Sequence, residues 1–325
     1  MKPLLSVPPE ALQFLRDYDR YLLLGHIEPD ADCLGSQIAL ARGLTRLGKQ
    51  VELLNPGPFE RQEILPLTDS FLTDPAAVDI VGRTAAVLLD CSTPDRIHPF
   101  DTVIDGLPIL VVDHHRTTDE YGTVHFIDPT IPANTMMVLA ILETIADGPT
   151  AAEAESLFLG LVTDTGFFRF LEAGQHLAFE AASRLTALGA SPRATAELLG
   201  GGRSWGSRQL IARMLSRTER LVDGSVLLTH MTAQDEQEFG TRRDSDALYR
   251  LLLAVENVRV VAVVKQKKKG CTISFRANDD TDVSIIAAEF GGGGHQKASG
   301  AFTDQDLETF LPVLRNRLLS VCNSP

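Results

Sequence analysis

Three runs of apolar residues, separated by segments with helical spacing, most constrain the fold of this 325-residue chain. They cover residues 21–24, 85–89 and 108–112, and each leads directly into a polar loop. Continuous apolar runs between helices are typical of strands in a parallel sheet that is covered on both faces. The first part of the chain is therefore predicted to be an α/β domain with a mainly parallel sheet and helices on both faces.

The loop after the first run, residues 25–36, carries one imidazole and two carboxylates. They belong to His26, Asp30 and Asp32, which lie between a predicted strand and a predicted helix. An open α/β sheet binds its ligands at the carboxyl ends of the strands, where this loop is placed. An acidic turn alone can simply cap the following helix. With further ligands, however, these groups could hold a divalent cation.

Matching groups follow at later ends of strands and helices. Asp90 follows the second run, Asp113-His114-His115 follow the third, and Asp164 ends a predicted helix at 151–163. Each alone has an ordinary structural role, but a parallel sheet brings strand ends to one edge. Four carboxylates gathered there would repel one another, and two divalent cations would cancel their charge. These carboxylates are those of Asp30, Asp32, Asp90 and Asp164. A set without thiolate disfavours structural zinc, and imidazole with carboxylate suits Mn²⁺ better than Mg²⁺.

The second part of the chain has a different pattern. Three glycines at 200–202 indicate a linker, with a charged helix behind them at about 204–220. Shorter strands and helices follow, including a hairpin around Lys267, Lys268, Lys269 and Gly270 and a glycine run at 291–294. We predict a first domain over 1–190, a linker with a helix over 191–220, and a smaller α+β domain over 221–325.

Charge and composition limit the classes of partner. A net charge of −13 argues against binding to long duplex nucleic acid, which relies on a basic surface. A small anionic substrate stays compatible with this charge if bound cations reverse the local field. Neither a signal peptide nor a membrane-spanning run is recognisable, so we expect a cytoplasmic protein without a membrane partner. The cysteines lack a Cys-x-x-Cys pair and are expected to be reduced packing residues. They are Cys33, Cys91, Cys271 and Cys322.

Four ordered motifs resemble those of the DHH phosphoesterase family. They are Gly25-His26-x-x-Pro29-Asp30-x-Asp32-x-x-Gly35-Ser36, the strand-end Asp90, Asp113-His114-His115 and Thr163-Asp164-Thr165-Gly166. In the second domain, Arg276, Asp282-Val283 and the stretch from Phe290 to Gly300 resemble the associated DHHA1 domain. The resemblance covers nearly the whole chain. Its nearest subgroup is the short two-domain type with nanoRNase (oligoribonuclease) and 3′-phosphoadenosine 5′-phosphate (pAp) phosphatase activity.

The resemblance implies a hydrolase acting on phosphoester bonds with two divalent cations, with Mn²⁺ favoured over Mg²⁺ or Co²⁺. One ion would be held by His26, Asp30 and Asp90, and the other by Asp32, Asp90, His114 and Asp164. Asp113 would orient ligands, and His115 would face the scissile phosphate as a hydrogen-bond donor or acid. The implied catalytic residues are thus Asp90, Asp113 and His115. Residues 128–135 resemble a family stretch beside the site, but Pro132-Ala133-Asn134 departs from its serine-rich form.

The glycine run is predicted to bind the end of the substrate. Glycines let a backbone approach a ligand closely and turn its N–H groups toward an anion. Arg276, His295 and Ser299 would add donors for a phosphate. The predicted substrate-binding residues are therefore Arg276, Gly291, Gly292, Gly293, Gly294, His295 and Ser299. The three lysines at 267–269 are predicted to be a solvated hairpin tip, since no row of aromatic residues accompanies them.

The expected substrates are very short single-stranded RNA, dinucleotides and pAp. A cyclic-dinucleotide or linear-dinucleotide signalling phosphodiesterase is the nearest alternative. A catalytically inactive nucleotide-binding regulator is an alternative of another class, and the presence of every expected ligand argues against it. RecJ-type exonucleases are longer, and family II pyrophosphatases lack the Gly-Gly-Gly-Gly-His sequence. A homodimer is compatible with the sequence, which does not define the oligomeric state.

Overall fold

A computed structural model describes residues 2–115, 121–240 and 244–320. The chain divides into two compact units, Met1–Gly201 and Gly202–Pro325. Residues 191–220, predicted as a linker with a helix, contain one helix of each unit, Pro192–Gly200 and Trp205–Ser216. Cys33, Cys91 and Cys271 are buried free cysteines, whereas Cys322 lies outside the described residues. None of the described helices is long and apolar enough to cross a membrane.

The first unit is built on a five-stranded sheet in which every neighbouring pair is parallel. Its strands are β1 (Arg20–Gly25), β2 (Gln50–Leu54), β3 (Thr84–Leu89), β4 (Ile109–Asp113) and β5 (Val124–Ile127). Their order is β2-β1-β3-β4-β5. Strands β3 and β4 are buried along their whole length, which is why they read as unbroken apolar runs. The predicted α/β fold with a parallel sheet is confirmed.

Helices cover both faces of this sheet, but they are of different kinds. One face packs against α-helices, and the other is covered by loops and short 3₁₀ helices at 94–97 and 100–102, with Ile97 and Phe100 in that core. The α-helices are α1 (Pro9–Asp17), α2 (Ala31–Arg46), α3 (Asn134–Ile145), α4 (Ala151–Asp164), α5 (Leu177–Ala187) and α6 (Pro192–Gly200).

Helices α2 and α4 pack closely because glycine lies at their contact. A Cβ atom added to Gly35 of α2 would lie 2.5 Å from the backbone oxygen of Ser156 in α4. A Cβ atom added to Gly160 of α4 would lie 2.8 Å from Cα of Asp32. The two helices carry Asp32 and Asp164, so this close contact sets the distance between two acidic residues of the predicted site.

Replacing Gly35 by alanine is expected to destabilise the first unit by about 1–3 kcal/mol, because overpacking forces two helix backbones apart. The measurement is the free energy of unfolding in urea. Gly200→Ala is the matched control, since an added Cβ atom there meets no described atom within 4 Å. Equal stability of the two variants would show that the α2–α4 contact can relax without cost.

The second unit is a smaller α+β domain, as predicted. Its six-stranded sheet has the order β10-β11-β9-β8-β7-β6, in which β7 and β8 are parallel and the other pairs antiparallel. The strands are β6 (Glu219–Leu221), β7 (Val226–Met231), β8 (Val260–Gln266), β9 (Cys271–Ala277), β10 (Gly293–His295) and β11 (Ala298–Thr303). The helices are α7 (Trp205–Ser216), α8 (Ala233–Phe239), α9 (Ser245–Leu253), α10 (Val283–Glu289) and α11 (Leu307–Leu318). One core lies under α10 and α11, and the other under α7 and α9.

Candidate metal centre

The loop between β1 and α2 is held by its own side chains. Asp30 is the N-cap of α2, and its Oδ1 accepts hydrogen bonds from the backbone N–H groups of Asp32 and Cys33, both at 3.1 Å. The Nδ1 atom of His26 lies 2.7 Å from the carbonyl oxygen of Ile27 and donates to it. This contact fixes the tautomer of His26 and leaves Nε2 as the free ligand atom.

Asp90 lies at the centre of the site. It follows β3 with a backbone φ of 63°, a left-handed conformation that is costly for a residue other than glycine. Its buried carboxylate lies between two imidazoles. Oδ2 is 3.4 Å from Nε2 of His26, and Oδ1 is 3.2 Å from Nε2 of His114. The strained backbone therefore places one carboxylate where it can contact two groups at once.

His114 brings two further acids to the same place. Its Nδ1 atom donates to the carbonyl oxygen of Ile131 at 3.1 Å. Its Nε2 atom lies 3.3 Å from Oδ2 of Asp164 and 3.8 Å from Oδ2 of Asp32. Oδ1 of Asp30 lies 4.0 Å from Nε2 of His26. The structure thus gathers the six residues predicted as metal ligands into one cluster. They are His26, Asp30, Asp32, Asp90, His114 and Asp164.

Asp113 and His115 form a pair beside this cluster. Asp113 is buried, and its Oδ1 accepts hydrogen bonds from the backbone N–H of His115 at 3.1 Å and from its Nδ1 at 2.7 Å. The His115 side chain is 50% exposed, and its Nδ1 lies 3.7 Å from Oδ1 of Asp90. Asp113 therefore orients an imidazole that solvent can reach.

The structure adds two residues that sequence reasoning had not assigned. Thr135 donates to Oδ1 of Asp32 from its backbone N–H at 2.9 Å and from its hydroxyl at 2.6 Å, and Asn134 donates its N–H to Oδ2 at 2.6 Å. Both begin α3, within the stretch where Pro132-Ala133-Asn134 departs from the family form. The signal in the sequence was the resemblance of residues 128–135 to a family stretch beside the site. The hydrogen bonds themselves join residues about a hundred positions apart, and no local sequence pattern indicates them.

Two other side chains approach the cluster. Nη1 of Arg61 lies 3.8 Å from Oδ2 of Asp30. The second side chain is Cys33, whose Sγ lies within 4.8 Å of a ligand atom of His26 and of a ligand atom of Asp90. Burial raises the pKa of this thiol well above its ordinary value, which keeps it protonated. The expectation that Cys33 is a reduced, buried residue agrees with this environment.

The crowded charges shift the pKa values of the site. Burial and then the charge of Asp90 raise the pKa of Asp32 to about 7. Burial, followed by the charges of Asp32 and Asp90, raises the pKa of Asp164 to about 8. Burial alone would lower the pKa of His114, but Asp90, Asp32 and Asp164 raise it to about 10. The cluster without metal therefore binds protons at neutral pH in place of cations.

Burial and neighbouring charges also set the pKa values of Asp90, His26 and His115. Burial alone would raise the pKa of Asp90, but the imidazoles of His114 and His26 outweigh burial and leave it below its usual range. Burial lowers the pKa of His26, and Asp90 and Asp30 raise it by more. The hydrogen bond to Asp113 raises the pKa of His115. Asp90 thus stays ionised, whereas Asp32 and Asp164 take up protons near neutral pH.

The donor set fits divalent cations. Three groups have ligand atoms that all lie within 4.8 Å of one another: His26, Cys33 and Asp90; Asp90, His114 and His115; and Asp32, His114 and Asp164. Within the part of the chain that the structure describes, Oδ2 of Asp113 is buried without a hydrogen bond. Oδ1 of Asp90 lies 3.2 Å from Nε2 of His114 but forms no hydrogen bond of good geometry. A buried carboxylate oxygen left in this way is costly unless a cation or another donor contacts it.

The glycine run of the second unit forms a strand. Gly293–His295 is β10, which pairs with β11 through Gly294 and Ser299, and the four glycines and His295 are exposed. The guanidinium of Arg276 lies 4.7 Å from the ring centroid of Tyr249. The hydroxyl of Ser299 donates to the carbonyl oxygen of Val283 at 2.7 Å and is buried. Ser299 thus uses its proton to join β11 to α10, while the backbone of the glycine run is accessible.

Comparison with known proteins gives consistent matches. The DHH family, N-terminal domain, matches residues 20–162, and the DHHA1 domain matches residues 224–320. Over 311 residues the chain is 29% identical to the bifunctional oligoribonuclease and PAP phosphatase NrnA of Thermus thermophilus, spanning 90% of this chain and 88% of that protein. It is 25% identical over 304 residues to the cyclic-di-AMP phosphodiesterase PdeA of Listeria monocytogenes, spanning 88% of this chain and 45% of that longer protein.

Solved structures show the same fold. An exopolyphosphatase-related protein from Bacteroides fragilis has a TM-score of 0.82 at 20% identity, covering 97% of this chain and 99% of that one. RecJ of Thermus thermophilus in complex with Mn²⁺ has a TM-score of 0.54 at 18% identity, covering 100% of this chain and 57% of that one. Together, the DHH and DHHA1 matches and the similarity to NrnA show that the chain belongs to the DHH phosphoesterase family, in its form with a DHHA1 second domain, and is a hydrolase of phosphoester bonds.

Proposed function

We propose that this protein is a cytoplasmic nanoRNase and pAp phosphatase that hydrolyses RNA of about two to five nucleotides. The observation that carries the proposal is the carboxylate of Asp90, which is buried and contacts His26 and His114 on its two oxygens. A bridging ligand of this kind suits two divalent cations, the usual arrangement for phosphoester hydrolysis. The name of the Thermus relative, which the chain matches over 88% of that protein's length, supports the substrate class.

Two bound cations would share Asp90 and divide the other residues between them. His26 and Asp30 would complete one, and Asp32, His114 and Asp164 the other. When bound, the cations would supply an activated water and would stabilise negative charge on the departing oxygen. Mn²⁺ is the proposed ion because the ligands are imidazole and carboxylate. Mn²⁺ is also the ion in the RecJ structure.

His115 would contribute a proton. Its Nδ1 is held by Asp113 at 2.7 Å, and its half-exposed ring leaves Nε2 for a phosphate oxygen. The hydrogen bond to Asp113 raises the pKa of His115. In its protonated form the ring would donate Nε2–H to the scissile phosphate or to the leaving oxygen. Asp113 acts through His115 as a positioning residue.

The second unit would bind the terminal nucleotide. The exposed glycine backbone would let a phosphate approach closely, and Arg276 and His295 would donate to it. The N–H groups of Gly291 and Gly292 already donate to the carbonyl oxygens of Ala288 and Ala287 at the end of α10. Ser299 would support this strand through its bond to Val283. A net charge of −13 provides no extended basic surface for long nucleic acid, which favours short substrates.

A signalling role on cyclic or linear dinucleotides is the second candidate, favoured by the match to PdeA. A panel of 5′-labelled RNA of graded length, pAp and cyclic di-AMP, each with Mn²⁺, separates the candidates. We expect fast turnover of dinucleotides and pAp and slow turnover of long RNA and cyclic di-AMP. Preferred turnover of cyclic di-AMP would replace the first candidate by the second. Nucleotide binding without product release would instead indicate an inactive regulator.

The contact between Thr135 and Asp32 gives a separate prediction. Thr135→Val removes the 2.6 Å hydroxyl bond to Oδ1 of Asp32 and should weaken Mn²⁺ binding by about 10- to 100-fold, as losses of ligand-orienting bonds do. Titration of the metal-free protein with Mn²⁺ measures this affinity. Thr144→Val is the matched control, because the Thr144 hydroxyl donates to the carbonyl oxygen of Ala140 in the same helix. Equal affinity in both variants would show that Thr135 does not orient Asp32.

A further inference from the structure

The loop that follows Asp164 is a compact, strained segment. Its backbone turns through Phe167 and Phe168, which have positive φ values of 56° and 67°. Such values are uncommon for bulky residues and persist only where the surrounding structure holds them. Thr165 accepts two hydrogen bonds from this loop. Its hydroxyl accepts from the N–H of Phe168 at 3.2 Å, and its backbone carbonyl oxygen accepts from the N–H of Phe170 at 3.1 Å. These bonds fix the loop relative to the end of α4.

The loop holds the ring of Phe170 in an exposed position. The side chain is 68% exposed, yet its ring lies against Gly166, where an added Cβ atom would be 2.3 Å from Cε2. The guanidinium of Arg169 lies 5.7 Å from the ring centroid, and its Nε donates to the carbonyl oxygen of Gly166 at 2.7 Å. Phe170 therefore presents an aromatic surface six residues after the candidate ligand Asp164, and its ring is anchored at Gly166.

The neighbouring phenylalanines have a different environment. Phe167 and Phe168 are partly buried and pack on the core of the first unit, and Phe168 stacks on Phe179 at 5.0 Å between ring centroids. A single exposed apolar side chain is ordinary on a protein surface. What distinguishes Phe170 is the combination of exposure, a fixed ring and a strained loop directly after a candidate metal ligand.

We propose that Phe170 is a stacking platform for the nucleobase next to the scissile phosphate. The inference rests on the proposed function and adds a recognition element for the base in the first unit. A flat π surface suits any base, so this contact would favour nucleotides over other phosphoesters without selecting a sequence. Loss of one base-stacking contact weakens binding by about 5- to 150-fold.

The test compares two product-like ligands that differ only in the base. Adenosine 5′-monophosphate and ribose 5-phosphate are titrated into the Mn²⁺-loaded protein by calorimetry. Phe170→Ala should weaken binding of the nucleotide by at least about fivefold and change the affinity for ribose 5-phosphate by less than about twofold. Phe170→Trp should retain the nucleotide affinity, and Phe170→Leu should lose most of it, because leucine keeps apolar bulk without a π face. Phe179→Ala is the control for loss of an exposed ring that stacks on the same loop.

The outcomes separate this inference from the function on which it rests. Equal nucleotide affinity of wild type and Phe170→Ala overturns the platform even if the wild type hydrolyses dinucleotides. An equal loss in Phe179→Ala, or parallel loss of both ligands in Phe170→Ala, also overturns it, because loop integrity then explains the effect. Absence of dinucleotide turnover by the wild type contradicts the proposed function instead, and the calorimetric comparison still decides the role of Phe170.

Discussion

Asp90→Asn reduces Mn²⁺-dependent hydrolysis of a 5′-labelled dinucleotide by about 10³-fold or more. Asparagine keeps the size of the side chain but removes the one charge that contacts both His26 and His114. Charge stabilisation by a bound metal contributes several kcal/mol to such a reaction, and each 1.4 kcal/mol is about tenfold in rate. Initial rates at saturating Mn²⁺ measure the effect.

Asp95→Asn is the matched control for this experiment. Asp95 is an exposed acid in the 3₁₀ helix that follows Asp90 in the chain, so it tests the loss of one negative charge nearby. We expect the control to keep near wild-type turnover. Comparable rates for Asp90→Asn and the wild type would remove the basis of the proposed function.

The metal-free protein loses stability as pH rises from about 4 to about 8. Burial and mutual repulsion raise the pKa of Asp32 to about 7 and that of Asp164 to about 8, so the folded state holds protons that the unfolded state has released. Stability falls with pH wherever the folded state binds more protons. His114, with its pKa raised to about 10, acts in the same direction above its ordinary value. Because a difference of one pKa unit corresponds to about 1.4 kcal/mol, we expect a loss of at least about 4 kcal/mol over this window.

Bound cations should remove this loss. A ligand that binds only the folded state at about a thousand times its dissociation constant stabilises it by about 4 kcal/mol. Urea unfolding measures the free energy of unfolding of chelator-treated and of Mn²⁺-loaded protein, each at about pH 5 and at about pH 8. The lowered pKa of Asp90 acts only below its ordinary range and does not enter this window. A metal-free protein that becomes more stable between these pH values would contradict the electrostatic account of the site.

The strands that are clearest in the sequence are those buried on both faces. Strands β3 and β4 appear as apolar runs because every residue in them is buried. Strand β5 was not predicted, because only Phe126 of its four residues is fully buried and His125 interrupts the pattern. No strand was predicted in the glycine run, yet Gly293–His295 is a strand because β11 pairs with it. Pairing partners, rather than local propensity, define such strands.

Some contacts of the candidate site could likewise be predicted from the sequence, and others could not. Residues at the ends of parallel strands could be predicted to meet, and the structure brings Asp90 and His114 together with the loop that contains His26. The contacts of Asp32 with Asn134 and Thr135 depend on how α3 packs beside α2, which no local pattern records. The same holds for Arg61, whose contact with Asp30 arises from the loop after β2.

The number of cations bound by one chain is the most direct test of the central claim. Equilibrium dialysis of the chelator-treated protein against Mn²⁺, followed by elemental analysis, gives this number. The shared position of Asp90 between His26 and His114 predicts two ions per chain in the wild type and a loss of both in Asp90→Asn. A wild-type protein that binds no ion, or an Asp90→Asn variant that binds two with unchanged affinity, would contradict the account.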